Sequence, residues 1–360
     1  MKRSSALILG GLFASATLLY LLYRSVRLAS AALVENAQKA LNFLAWRDQV
    51  LESYDPPQKG TTGAPPATKV QAPRADALVV HGNSMAAVPL GAADLFVDVL
   101  YPAGCRTVLL TGGVGRETPP LWAELAERNM TSIFAVEPWP QNRPPAQVSL
   151  PSQGVTKPVL AHVDLALAPE KLREYASEAD VFLEIFVSRC RERGLKVSFG
   201  GNPMAEDIAS PAAATATEGT GAGAEARVYV ETASTHTGTN VEFSRASLRK
   251  LGCGEQPALV VVQQPALQLR TCLTWEKQTG VLPLGWTVRP TESACGRPGS
   301  EMLQYALGEL RRIPKYAAED MGFCTMPEDF PEDLLASLEA LEPAINAAVA
   351  LEKDKRARGG

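Results

Sequence analysis

Short apolar runs that end in glycine or in polar residues recur along the chain beyond residue 74. Four of them have the length and composition of buried strands: 75-ADALVVHG-82, 106-RTVLLTGGVG-115, 227-RVYVE-231 and 258-ALVVVQQ-264. A helical pattern follows the first run at residues 91–104, and another follows the fourth through about Gln278. Strands that are apolar on both faces and alternate with helices are typical of a parallel sheet covered on each side. The pattern therefore predicts a doubly wound α/β domain over residues 74–290.

Two stretches inside this domain break the alternation. Residues 138–168 are rich in proline, and residues 201–226 are almost wholly Ala, Gly, Thr, Ser and Glu, so both are predicted to be surface insertions. Between them, residues 169–194 begin with proline and carboxylates and end with basic residues and glycine, which predicts one helix. Helical patterns at residues 291–350 predict a helical cap or lid, followed by a charged tail at 351–360.

The amino terminus carries an uncharged run of 18 residues, 6–23, between basic residues on both sides. This length is at the short end of what crosses a hydrocarbon core of roughly 30 Å. We expect a single-pass membrane anchor within residues 1–28, while the segment LASAA at 28–32 leaves a cleaved signal peptide open. Basic residues on both flanks leave the orientation and the compartment open. Residues 29–73 are predicted to form a helix and then a Pro/Gly/Thr linker that lacks the apolar residues to fold.

Composition and charge argue against some classes of binding partner and metal site. The chain of 360 residues has 46% hydrophobic and 21% charged residues, which is ordinary for a globular protein. A formal net charge of −4 argues against a nucleic-acid surface, because such a surface needs a basic face. The six cysteines lack the CxxC spacing of a zinc site and do not suggest a disulfide framework in so long a chain. Reduced thiols and individual bridges both stay open.

Polar residues and glycines follow each of the four predicted strands. In sheets of this class the ligand crevice lies beyond the carboxyl ends of the strands, so we expect these residues to share one site. The candidates are Gly82, Asn83, Thr111, Gly112, Gly113, Glu231, Ser234, Thr235, Asn240, Gln264 and Arg270. Glycines let backbone N–H groups approach an anion or a ribose, and the carboxylate of Glu231 suits ribose hydroxyls. The structural alternatives are a tight turn for TGGVG, and for residues 231–240 a solvated loop that caps a helix through Thr237 or Thr239.

Other chemistries find no support in the pattern. The three histidines have no spacing typical of a metal site, and His236 is most simply an exposed loop residue. The nucleophile-elbow motif GxSxG is absent, which disfavours hydrolysis by a catalytic triad. No residue stands out as a general base with a tuned partner, so the type of reaction is not readable from the sequence.

Several short motifs occur in a characteristic order. They are HGN at 81–83, TGGVG at 111–115, SEA at 177–179, Glu231 followed by Ser234-Thr235 and Gly238-Thr239-Asn240, VVQQPALQLRT at 261–271, GELRRI at 308–313, and DFPEDLLASLEAL at 329–341. Together they resemble the YdcF-like and SanA-like family of domains of unknown function, with the YdcF-like branch as the nearer match, over about residues 75–341. The resemblance implies a Rossmann-like α/β domain with a helical carboxyl-terminal part and a binding cleft lined by these motifs.

The resemblance also implies a ligand. Members of the YdcF-like branch are associated with binding S-adenosylmethionine, and SanA-like members are membrane-anchored envelope proteins. The motifs add Glu178 to the candidate cofactor-binding residues. Leu269 stands where the branch usually carries a second basic residue, so Arg270 alone would hold an anionic group. Two functions follow as hypotheses: a membrane-anchored protein that binds a nucleotide-type small molecule, expected to be S-adenosylmethionine, and a non-catalytic interaction protein of an envelope or organelle membrane.

Overall fold

The part of the chain that can be described comprises most of the α/β domain and the carboxyl-terminal helices. The computed structural model describes residues 35–36, 38–45, 51, 54, 73–128, 130–134, 146–160, 169–205, 225–289, 299–318 and 322–359. The predicted anchor at 6–23 lies outside these residues, as do nearly all of the linker at 55–73 and residues 206–224 of the second predicted insertion. Residues 38–44 are helical, inside the helix predicted ahead of the linker.

The core of the domain is a parallel sheet of six strands. The strands in chain order are β1 Ala77–His81, β2 Thr107–Thr111, β3 Gln147–Leu150, β4 Val155–Pro158, β5 Val197–Gly201, β6 Ala226–Glu231, β7 Leu259–Val262 and β8 Leu284–Trp286. The sheet has the order β5-β6-β2-β1-β7-β8, and all its neighbours pair in parallel, whereas β3 and β4 form a separate antiparallel hairpin. The predicted Rossmann-like α/β sheet is confirmed.

Helices cover both faces of this sheet. The main helices in chain order are α1 Ala87–Leu95, which continues as a π-helical turn Phe96–Leu100, α2 Thr118–Glu127, α3 Glu178–Glu192, α4 Thr237–Lys250, α5 Pro265–Thr279, α6 Gly299–Ala317, α7 Glu332–Ala340 and α8 Glu342–Gly359. Alternation along each strand sets the two layers: Leu78 and Val80 belong to the core that contains α1 and α3, whereas Ala77 and Val79 belong to the core with α4 and α5. Because both faces are buried, the strands read as continuous apolar runs.

Two edge strands and a hairpin were not predicted. β5 and β8 lie at the two edges of the sheet, and each is short or interrupted by glycine. The predicted surface insertion at 138–168 contains the β3–β4 hairpin, in which Val148 and Leu150 are fully buried. Glu184 of α3 accepts bonds from the Ser152 backbone and hydroxyl, so this part of the stretch packs onto the domain. Residues 146–160 therefore form a hairpin that packs on the domain outside the main sheet.

The helix predicted at 169–194 is interrupted. One helical turn, Pro169–Leu172, comes first, and α3 begins afresh after Ser177. The Ser177 side chain accepts from the Asp180 N–H while the Asp180 carboxylate accepts from the Ser177 N–H, which is a complete capping box. A helix can begin at this point because the N–H groups of Ser177 and Asp180, which have no acceptor within the helix, are hydrogen-bonded by side chains of the same turn.

The carboxyl-terminal helices form the predicted helical part. α6 packs against α5 and α8, and Arg311 of α6 binds Glu342 at the start of α8 through two hydrogen bonds of 2.8 and 2.6 Å. α8 extends to Gly359 and so includes most of the predicted charged tail. Within the described segments no single helix has the length and apolar character to cross a membrane; α7 and residues 342–351 meet those criteria only as a pair bent by 57°.

Candidate functional site

The glycine turns after β1 and β2 pack directly against each other. A Cβ atom on Gly82 would lie 2.8 Å from the Cα of Gly112 and would also meet the carboxylate of Glu178. Gly112 itself has φ +135°, a conformation that side chains rarely adopt. Gly82 and Gly112 are therefore required by the close approach of two loops and the first turn of α3.

The N–H groups of the TGGVG turn are engaged within the protein. Gly112 donates to the Glu231 carbonyl at 3.0 Å, and Gly113 donates to the Ser234 carbonyl at 2.6 Å. The Gly112 and Gly113 carbonyls in turn accept from the first residues of α3, Glu178 and Ala179. In this conformation the turn joins β2, β6 and α3, and contact of these two glycines with a cofactor stays a prediction.

Glu231 lies at the end of β6 on the α4 side of the sheet and is fully buried. Its Oε1 accepts from the N–H groups of Ala233 (2.6 Å) and Ser234 (3.0 Å), so the carboxylate shapes the turn that leads into α4. Its Oε2 has no hydrogen-bond partner within the described part of the chain. Burial raises the pKa of the Glu231 carboxyl above its usual value. Its predicted role as an acceptor of ribose hydroxyls stays a prediction that would require access to Oε2.

Asn240 holds the same turn from the other side. Its Oδ1 accepts from the Thr111 hydroxyl at 3.2 Å and from the Ser234 hydroxyl. Register explains the meeting: Thr111 pairs with Glu231, so both side chains project to the face on which α4 packs. α4 begins at Thr237 with His236 as its N-cap, whose Nδ1 accepts from the N–H of Thr239. The expectation that Thr237 or Thr239 caps the helix is corrected, because Thr239 contributes the N3 half of a capping box.

A second polar network joins β1 and β7. The Asn83 amide donates to the His81 carbonyl and, at 2.7 Å, to Oε1 of Gln263. Gln263 was not among the predicted site residues, although it ends the ALVVVQQ run. The neighbouring Gln264 donates to the Tyr305 hydroxyl, which donates to the Glu117 carboxylate at 3.1 Å. Gln264 thus connects the sheet to α6.

Two buried ionisable groups have strongly shifted pKa values. Burial lowers the pKa of His81 to about 3, so the ring is neutral, and its Nε2 accepts from the Trp275 indole N–H at 3.0 Å. Burial raises the pKa of Glu178 to about 8, and the nearby Glu117 adds to the rise, against the opposing effect of a hydrogen bond from the Thr118 hydroxyl. Glu178 is therefore protonated in a large fraction of molecules near neutral pH.

An open cleft of about 520 Å³ lies beyond the carboxyl end of the sheet, between the start of α4, α5 and α6. Charged and aromatic side chains dominate its lining: Arg116, Glu117, His236, Arg270, Tyr305, Glu309, Arg312, Tyr316 and Phe323. The first residues of α4, Thr237 and Gly238, also face it. Their N–H groups belong to the first turn of the helix, which has no intrahelical acceptors and carries a partial positive charge.

Charges in the cleft are partly paired. Arg270 donates through Nε to Glu309 at 2.6 Å and through Nη1 to the Thr237 hydroxyl at 3.1 Å. Glu309 is only 1% exposed, and its other oxygen binds Arg312. Arg116 is exposed and forms no ion pair with another described residue. The guanidinium of Arg116 and the amino end of α4 therefore leave an excess of positive character at the mouth of the cleft.

The predicted site residues separate into two groups. Arg270 lines the cleft, and Gln264 reaches it through Tyr305. The others except the exposed Thr235 lie beneath it as a packed layer that links the strand ends. Sequence reasoning missed Arg116, Glu117, Tyr305 and Glu309 as lining residues. A signal existed for three of these residues: Arg116 and Glu117 directly follow TGGVG, and Glu309 lies in GELRRI.

Neither protein-family models nor curated proteins match this chain. The resemblance to the YdcF-like branch therefore rests on the quoted motifs and their order.

Proposed function

We propose that the chain binds a nucleotide-type small molecule in the cleft at the carboxyl end of the sheet, with S-adenosylmethionine as the first candidate. The observation that carries the proposal is the combination, in one cleft, of an unpaired guanidinium, carboxylates and aromatic rings. S-Adenosylmethionine presents a carboxylate, an ammonium group, a sulfonium and an adenine ring, and each finds a complementary group there.

The anionic end of such a ligand suits Arg116. A guanidinium binds a carboxylate through two parallel hydrogen bonds, and the amino end of α4 adds favourable partial charge. Arg270 is less available, since its Nε already donates to Glu309 and its Nη1 to Thr237. Its role is to fix the wall of the cleft. This division replaces the second basic residue, which the chain lacks at Leu269, with Arg116 from the TGGVG loop.

The cationic and aromatic parts of the ligand suit other lining residues of the cleft. Glu117 supplies a carboxylate beside the Tyr305 hydroxyl. The Tyr316 ring already accepts a guanidinium over its face, with Arg270 at 5.6 Å from the ring centre, so it can accept a sulfonium or stack on a base. A volume of about 520 Å³ is within the range of roughly 300–1,000 Å³ that is usual for small-molecule sites.

Glu231, Asn240 and Glu178 support the cleft from below. Glu231 and Asn240 hold the turn that carries His236 to Gly238, and Glu178 holds the TGGVG loop that carries Arg116. We propose no reaction for this cleft. Membrane attachment through residues 6–23 is part of the proposal, and retention in the pellet after a carbonate wash tests it.

A non-catalytic interaction protein is the competing function. It is favoured by the packed layer under the cleft, in which most predicted site residues satisfy one another. The two proposals differ in whether the cleft has a small-molecule ligand at all.

Isothermal titration of the full chain with S-adenosylmethionine, adenosine, methionine and ATP separates them. Hydrogen bonds to charged groups contribute about 1.5–3 kcal/mol, so Arg116→Gln should weaken S-adenosylmethionine about tenfold or more and adenosine hardly at all. Arg358→Gln, which changes an exposed guanidinium on α8 that does not line the cleft, is the matched control. Equal binding by wild type and Arg116→Gln, or no binding of any of the four compounds, contradicts the proposal.

A further inference from the structure

A second cavity of about 310 Å³ lies at the opposite end of the sheet. It is bounded by the last turns of α4 and α5 and by the segments that lead into β7 and β8. Its walls are mainly apolar and include Leu248, Leu259, Trp275, Pro283 and Leu284. This cavity shares no lining residue with the carboxyl-end cleft.

The rim of the cavity exposes apolar side chains to solvent. Val281 and Leu282 are 46% and 43% exposed, and both line the opening. A neighbouring pair of exposed aliphatic residues at the mouth of an apolar cavity gains free energy when an apolar molecule covers it. The fold itself does not require this arrangement, since the loop between α5 and β8 could carry polar residues.

One charged group stands in this apolar surrounding without a partner. Arg245 of α4 lines the cavity, is half-buried and forms no ion pair with any residue that the structure describes. Arg249, one turn further along α4, is neutralised by Glu255. The carboxyl ends of α4 and α5 contribute partial negative charge, but that effect is confined to the last turn, beyond Arg245. Arg245 is therefore the uncompensated full charge at this cavity.

We propose that the cavity binds an amphiphilic carboxylate, with an acyl chain against Leu248, Trp275 and Leu284 and the carboxylate on Arg245. An apolar protein cavity of roughly 150 Å³ accepts benzene, so a volume about twice as large accommodates an acyl chain of about ten carbons. This inference is independent of the function proposed for the carboxyl-end cleft.

α5 connects the two sites physically. Its residues Arg270 and Thr274 face the cleft, whereas Trp275 and Thr279 line the apolar cavity. The Trp275 indole also donates to His81 at the end of β1. An acyl chain in the cavity touches the Trp275 ring, which makes tryptophan fluorescence a direct reporter of binding.

The test uses the full chain and three ligands of equal length: decanoate, decanol and decylamine, each below its micelle concentration. Binding is followed by calorimetry and by quenching of tryptophan fluorescence with a brominated decanoate. We expect decanoate to bind most tightly. Arg245→Gln should weaken decanoate by about tenfold or more and leave decanol unchanged, because only the charge-assisted bonds are lost. Arg249→Gln is the matched control and should bind decanoate within about twofold of wild type, because the charge of Arg249 is already met by Glu255.

A blocking variant tests the location. Ala258 is exposed and lines the opening, so Ala258→Phe should fill the cavity and abolish decanoate and decanol binding together. If this variant does not fold, Arg245→Gln alone decides. Absence of decanoate binding, equal or tighter binding of decylamine, or an unchanged decanoate affinity in Arg245→Gln would each overturn the proposal.

Discussion

Gly82→Ala tests the conclusion that the glycine turns after β1 and β2 exist for packing. The new methyl group would lie 2.8 Å from both the Gly112 Cα and the Thr111 carbonyl oxygen, and it would also collide with the Glu178 carboxylate. Two of these three neighbours are backbone atoms inside the sheet or its turn, so they cannot rotate away. Overpacking of a rigid interior typically costs 1–3 kcal/mol, and the backbone contacts place this substitution at about 3 kcal/mol.

Gly115→Ala is the matched control in the second turn. A Cβ atom there would find its nearest neighbours at 3.7 Å, which is ordinary van der Waals contact. We expect its free energy of unfolding to stay within about 0.5 kcal/mol of wild type. Urea denaturation gives both values, and thermal melting should show Gly82→Ala lowered by roughly 6–12 °C, as for a domain of this size. If Gly82→Ala is as stable as Gly115→Ala, the two turns do not approach each other as described. That result would favour the alternative that these glycines face a ligand.

Three further predictions concern charge and topology. Because the pKa of Glu178 is raised to about 8 in the folded chain, the folded state holds this proton more strongly than the unfolded chain, and the free energy of unfolding should fall as pH rises from about 4.5 to about 8. Glu178→Gln should therefore stabilise the protein more at pH 8.5 than at pH 5, as measured by urea denaturation. Equal effects at both pH values would refute the assignment. Arg270→Gln leaves the buried Glu309 with one guanidinium fewer and should lower the free energy of unfolding by about 3 kcal/mol. In a double-mutant cycle, the double variant Arg270→Gln/Glu309→Gln should recover most of this loss. Full additivity of the two single changes would mean that the pair is not coupled. Replacing residues 206–224 with about ten Gly/Ser residues should keep the melting temperature within a few degrees, because such a linker spans roughly 33 Å and can return from the end of β5 to the start of β6. A linker of three residues is too short and should prevent folding. Loss of folding with the long linker would show that the replaced stretch is structural.

The central strands were readable from the sequence because each has an unmistakable apolar run. Ala77–His81, Thr107–Thr111 and Leu259–Val262 are buried on both faces, and that state leaves few compositions open. β8 was not predicted because a strand of three residues is too short to show an alternating hydrophobic pattern. β5 was not predicted because Gly200 interrupts its apolar pattern. A glycine is needed there because the Tyr229 ring of the neighbouring strand occupies the position that a Cβ atom would take. Local pattern cannot reveal a constraint imposed by another strand.

The sequence placed the candidate site residues at the carboxyl ends of the strands but did not indicate which residues line the cleft. Polar groups do gather at the carboxyl ends of the strands, as the parallel topology requires. Whether Gly112 and Glu231 face a ligand or the interior depends on how closely loops from distant parts of the chain approach, and no short window contains that information. The cleft is lined by α4, α5, α6 and the residues after TGGVG, and only the fold brings Arg116 and Glu309 to the same cleft.

The position of β1 has a consequence for synthesis on the ribosome. One edge of β1 pairs with β2, which follows soon after it, but the other edge pairs with β7, Ala77 opposite Leu259, across about half of the chain. Until β7 emerges, an apolar strand keeps an open edge, and open edges are templates for pairing with other chains. Contacts between distant residues also form slowly. The nascent chain therefore depends on protection of the β1 edge until β7, Leu259–Val262, has been made. Truncation before Leu259 should yield aggregates rather than a smaller folded domain.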